Sequence, residues 1–229
     1  MIKKVLFALA AMLCTLSANA KSYKVGDFYE NNGLKGIVVR VDATGEHGLI
    51  MSLDRCKKAW VKGTKKNLST NAFHEDDGEK NMNELQKYIT ENGSSWEEFP
   101  VFAWARSLGE GWYIPASDEL KDILVAINGG TGKYDNKHMK PITKLLKKKK
   151  GDGLIDSGFQ SSKFPCAMFS STEGDDGKAI AMRFKPNGLS MLTSIGSPKG
   201  EFIIDNMPKN GAETGLYKVV YGSRAVHKF

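Results

Sequence analysis

The order in which hydrophobic periodicity changes along the chain constrains the fold most. Gly36 to Val41 and His47 to Leu53 are β-branched and aliphatic runs joined by the turn Asp42–Gly45, the pattern of a β-hairpin. The period then becomes helical. Met82, Leu85 and Ile89 space a helix over Asn81 to Asn92, with Gly93 as its C-cap. Pro100 to Leu108 is a second helix, with Pro at its first position and Gly109 at its end. Phe102 and Trp104 on it are assigned to the core. Leu120, Ile123, Leu124 and Ile127 form the stripe of a third helix, with Ser117 as N-cap and Asp118 and Glu119 at its positive end. A fourth starts near Pro141, carries Ile142, Leu145 and Leu146, and ends in Lys147 to Lys150. Strand patterns return at Phe164–Ser170, Lys178–Phe184, Gly188–Thr193, Glu201–Ile204 and Tyr217–Phe229, the last broken at Gly222. Strands that open and close the chain around a run of helices give one α+β domain over 21–229, not alternating βαβ units. Residues 54 to 80 lack periodicity and read as a solvated loop, basic and then acidic.

Met1 to Ala20 has a basic start (Lys3, Lys4), an apolar stretch and the small-x-small site Ala18-Asn19-Ala20. This reads as a secretory signal peptide and places the mature chain in the periplasm, on the outer surface or outside the cell. No later apolar run is long enough for a transmembrane helix. The 209 residues after the leader keep a net charge of +5. Two cysteines follow the leader, Cys56 and Cys166. They allow one disulfide, closing a loop of about 110 residues, or two buried thiols, and both readings stay open.

Motifs for catalysis are missing their partners. Asn128-Gly-Gly-Thr-Gly-Lys133 lacks the first glycine of a phosphate loop, has Tyr134 where Ser or Thr is needed, and follows a helix. It reads as a helix stop. His74-Glu75 has Gly78 where a zincin has its second histidine. No Gly-x-Ser-x-Gly occurs. The four histidines are scattered singly, so no metal site or cofactor is expected. Glu173, Asp175 and Asp176 could offer oxygens to calcium, but without EF-hand spacing they read as a solvated Asp/Gly turn. Lys144 to Lys150 holds five lysines in seven residues. The tract is either a solvated helix end or a docking patch for an anionic partner. Nucleic acid is not expected as that partner, since an exported chain rarely meets it.

Four segments in order carry a resemblance. They are Ala103-Trp104 leading to Gly111-Trp-Tyr-Ile-Pro-Ala-Ser-Asp-Glu-Leu120, Phe169-Ser-Ser-Thr-Glu173, Ala179 to Phe184 with Gly188 following, and Ser223-Arg-Ala-Val-His-Lys-Phe229. Together they resemble the bacterial exported domain family typified by the C-terminal domain of the Legionella collagen-like adhesin, and the related Fibrobacter paralogous domain. The front hairpin is similar to exported proteins of Bacteroides-type bacteria. The resemblance implies a C-type-lectin-like fold whose first and last strands pair, with flanking helices and long loops. It implies that Trp112 and Ile114 pack, that Pro115 fixes the lead-in to the third helix, and that Ser170, Ser171 and Thr172 hydrogen-bond at a strand end. Calcium-dependent sugar-binding lectins carry a carboxylate beside Pro-Asn, where this chain has Lys185-Pro186-Asn187. Formylglycine-generating enzymes need a close cysteine pair, where this chain has Cys166 alone.

The expected function is a non-catalytic binding module for an extracellular glycan or surface protein, through loops around 129–163 and 171–200. Lys147, Lys148, Lys149, Lys150, Lys178 and Arg183 are the expected contacts, and they favour an anionic ligand. A subunit of a surface appendage and a hydrolase without a recognisable motif are the alternatives.

Overall fold

The computed structural model describes residues 21–63, 68–133, 136–154, 166–175, 177–186, 200–210, 220–221 and 223–229. The leader, the expected strand over 188–193 and positions 217–219 lie outside them. Among the described residues the architecture is α+β, with two four-stranded sheets and the helices between them in sequence.

The first sheet has the order β1-β2-β3-β8. β1 (Phe28–Asn31) and β2 (Leu34–Val41) meet at Asn32-Gly33, both at positive φ (49° and 82°), the geometry of a tight hairpin turn. β3 (Gly48–Met51) returns antiparallel after the turn at Asp42. The Asp42 carboxylate accepts from Thr44 N at 3.0 Å and Gly45 N at 2.8 Å and so closes that turn. A register shift between Val38 and Arg40 leaves Ile37, Val38 and Val39 all buried. β8 (Val226–Lys228) completes the sheet beside β3. The expected pairing of first and last strands is thus corrected in detail. The closing strand joins the N-terminal sheet, but its partner is β3 because β1 lies at the other edge. Phe229 still reaches back, with its ring 4.6 Å from Tyr29 and 5.6 Å from Tyr23.

The second sheet, in the order β6-β5-β4-β7, is built from β4 (Cys166–Glu173), β5 (Lys178–Pro186), β6 (Gly200–Pro208) and β7 (Val220–Tyr221). β7 runs parallel to β4, and the other pairs are antiparallel. The terminal strand expected to break at Gly222 is two strands, β7 and β8, and they lie in different sheets.

α1 spans Gly78–Glu91 and starts three residues before the expected Asn81, because Asp77 caps it by accepting from Lys80 N at 3.0 Å. α2 (Pro100–Ser107) follows a short 3-10 turn at Trp96–Glu98. α3 (Ser117–Ile127) contacts β2, β4 and β5, so it lies against both sheets. Its cap is Ala116, not Ser117. Ala116 N donates to Glu119 at 3.0 Å, while Ser117 N is taken by Thr172 Oγ1 at 3.0 Å. α4 (Asn136–Lys148) starts a turn and a half before the expected Pro141, which sits inside it. Asn128, Gly129 and Gly130 stop α3 as expected, the two glycines at φ 77° and 82°.

The segment expected to be a solvated loop is part of the core. Trp60, Val61, Leu68 and Ala72 are buried. Trp60 and Val61 donate their amides to Lys209 O at 2.9 and 3.1 Å. The Trp60 ring meets Phe102 edge-on at 4.8 Å and Phe99 at 6.0 Å. No helix among the described residues is long and apolar enough to cross a membrane.

Candidate functional site

The motif segments converge on a buried polar network. Glu119 accepts from Tyr113 Oη at 2.9 Å, Gly78 N at 2.9 Å and Ala116 N at 3.0 Å. Thr172 Oγ1 donates to His74 O at 2.8 Å. Asn81 Nδ2 donates to His74 O at 2.7 Å and Ser171 Oγ at 3.0 Å. Ser170 Oγ donates to Ile180 O at 2.7 Å. Trp112 and Ile114 are buried. These are architectural roles, since buried polar groups need partners. Arg224, in the closing segment, donates from its guanidinium to Ser52 O, Leu53 O, Asp152 O and Gly153 O at 2.6–3.1 Å.

The Glu173 carboxylate is engaged within the fold rather than turned to solvent. The side chain is 1% exposed and forms an ion pair with Lys209, itself 2% exposed. The acidic turn it precedes closes by Lys178 N donating to Asp175 O at 3.0 Å. Asp176 lies outside the described residues. Among the described residues, no group of three or more His, Cys, Asp or Glu is placed to hold a metal ion.

Cys56 is a buried free thiol, and burial pushes its pKa above the ordinary value. Its backbone bridges to Ser223. The side chain of Cys166 lies outside the described residues. His227 faces carbonyl oxygens, those of Glu110 at 3.0 Å and of Lys228, and meets the Trp112 ring edge-on at 5.4 Å. Beside this pair a groove of about 640 Å³ is lined by Glu79, Met82, Arg106, Glu110 and Trp112 among others.

The expected lysine contacts separate. Lys178 opens β5 opposite Pro208, and Arg183 pairs in register with Ala167 and Ile203, its side chain outside the described residues. Lys147 and Lys148 close α4 and Lys149 and Lys150 follow it, on the side of the first sheet. Lys149 is half-buried there, with its ammonium 3.6 Å from the Phe28 ring centroid. The neighbouring Glu30 carboxyl is held below the ordinary carboxylate range by Lys35, 2.7 Å away, and to a lesser degree by Lys149. Lys150 adopts φ 63° and ends the helix, with Gly151 N donating to Leu146 O at 2.9 Å.

The helix itself is the larger basic feature. Met139, Ile142 and Leu146 are buried at i, i+3 and i+7. Lys137, Lys140, Lys144, Lys147 and Lys148 are exposed. At 3.6 residues per turn these five fall within an arc of about 100°, opposite the buried stripe. Among the described residues, none of Lys140, Lys144, Lys147, Lys148 and Lys150 takes part in an ion pair. Lys140 extends the tract one turn beyond the sequence expectation. The signal for it was the spacing of Met139, Ile142 and Leu146, which fixes the face on which Lys140 and Lys144 stand. No family model, curated protein or solved structure matches this chain.

Proposed function

We propose that the chain is an exported, non-catalytic binding module, C-type-lectin-like in architecture, that holds an anionic extracellular ligand on the lysine face of α4. The observation that carries this reading is the row of exposed lysines along one arc of a helix whose other face is locked into the core. A rigid helix holds its charges at fixed spacing. Ligand binding there costs less ordering than on a loop. An acidic or sulfated polysaccharide suits such a row, since its charges repeat along a line and its counterions are released on contact.

The test is a glycan array at physiological salt, followed by titration of the best acidic polysaccharide. Replacing Lys140, Lys144, Lys147 and Lys148 by Gln should reduce affinity at least tenfold. It should also flatten the dependence of log K on log salt by about one unit per lysine in contact. Unchanged binding by that variant, or no binding of acidic polysaccharide by the wild type, sinks the reading.

A second reading, as an assembly subunit, is favoured by β6. Among the described residues it is the edge of its sheet, and Ile204 on it is half exposed. An open apolar edge can accept a strand from another chain. Partners or self-association lost on Ile204→Lys would support it, and a monomer without envelope partners would count against it.

A further inference from the structure

The ion pair of Glu173 and Lys209 has no part in the lysine-face reading. Its surroundings are unusual for two charges. Both side chains are at most 2% exposed. The Lys209 ammonium donates to Leu68 O at 2.8 Å and lies 4.6 Å from the Trp60 ring centroid. The Glu173 carboxylate accepts through its other oxygen, Oε2, from Thr70 N at 2.8 Å and Ser69 Oγ at 3.3 Å. Both backbones are clamped. Glu173 N donates to Ala72 O at 2.7 Å, and Lys209 O receives the Trp60 and Val61 amides. The amine and the carboxyl are thus held against each other with little freedom to part, the condition under which an intramolecular reaction gains most.

We propose that Lys209 and Glu173 condense to an intramolecular amide, a covalent strut from the end of β4 to the residue after β6, passing across β5. The ammonium first passes one proton to Oε1 of Glu173, and the neutral Nζ then attacks Cδ through the lone pair so freed. The Nζ–Cδ bond forms and the Cδ–Oε1 bond breaks. The ammonium gives up two protons to the departing Oε1, which leaves as one water, and the opposite charges of the pair cancel. Nothing is oxidised or reduced, and no co-reactant is needed.

Three features favour this step. Burial pushes the Lys209 ammonium below its ordinary pKa, against the opposing pull of Glu173, which eases release of the nucleophilic amine. The Thr70 amide is already aimed at Oε2, where negative charge grows in the tetrahedral intermediate. The donors and acceptors in place also suit the product. The amide carbonyl keeps Oε2 with its Thr70 and Ser69 donors, and the amide N–H keeps Leu68 O. A buried ammonium wants three acceptors, whereas the secondary amide wants one. Ser69 is exposed, so it marks a route by which water can leave.

The test is peptide mapping of the full chain. Folded protein is denatured, alkylated, digested with trypsin and analysed by mass spectrometry. The expected product joins Phe164–Lys178 to Gly200–Lys218, with no cleavage after Lys209. Its mass is one water, about 18 Da, below the sum of the two peptides. Fragmentation should place the link between Glu173 and Lys209. Lys209→Arg, which keeps the cation and removes the nucleophile, should return Phe164–Lys178 unlinked and restore cleavage after position 209. Recovery of linear Phe164–Lys178 and Gly200–Lys209 as the sole products from folded wild-type protein overturns the proposal. The wild-type map decides by itself, so a variant that fails to fold does not obscure the result.

Discussion

Tyr113 shows how one side chain couples the motif segments to the rest of the chain. Its backbone bridges to Val226 of β8, with N–O distances of 3.0 and 2.8 Å, and its hydroxyl donates to Glu119. Burial pushes the phenol above its ordinary range, and the nearby Glu119 carboxylate adds to the effect. The folded state therefore holds this proton more tightly than the unfolded chain does. The resulting stability is complete below the unfolded value of about 10 and is lost as pH climbs above it. Urea unfolding between about pH 8 and pH 11 should show wild type losing more stability than Tyr113→Phe, which has no proton to lose. Equal losses would mean that other groups set the alkaline limit. The sequence identifies Tyr113 only as part of a motif. Its partner Glu119, read as a charge at a helix start, is a hub because the fold brings Gly78 and Ala116 to the same carboxylate.

Local signals were enough for the helices and much less so for the chain between them. α2 and α3 could be placed to within a residue or two because Pro100, Gly109 and Gly129-Gly130 punctuate clear stripes. Residues 54 to 77 carry no such stripe. Much of the order of the described residues among them comes from partners about a hundred or more positions away, as when Thr70 meets Glu173 or Trp60 meets Lys209. No window of sequence contains that information. The lysine tract is legible as charge, but the face that it occupies follows from the burial of Met139, which only the fold shows. Gly78 illustrates a constraint that periodicity also misses. A Cβ there would lie 2.4 Å from Ile114 O and 2.8 Å from the Tyr113 ring, so α1 docks through the absence of a side chain. Gly78→Ala should cost about 2 kcal/mol in chemical denaturation, from crowding against backbone that cannot yield. A loss within about 0.5 kcal/mol would show that α1 can shift outward at little cost.

At the scale of the molecule, the closing segment holds the two sheets together. β7 lies in the second sheet and β8 in the first, with Arg224 between them. Its guanidinium gathers carbonyls from 52–53 and 152–153, which are far apart in sequence. Arg224→Ala would leave those carbonyls without their donor. It should lower stability by about 3 kcal/mol, measured by urea unfolding, with Arg224→Lys recovering only part. If both variants stay near wild type, water or another side chain takes over the cage.

The seat of β8 beside β3 also sets a clock. Met51 and Val226, which pair in the first sheet, are synthesised about 175 residues apart. At roughly 5–20 residues per second, the hairpin of β2 and β3 waits on the order of 10–35 s for the strand that covers its open edge. A nascent chain so arranged cannot lock its N-terminal sheet early. That edge of the first sheet stays open until β8 is made, and it relies in the meantime on whatever shields it.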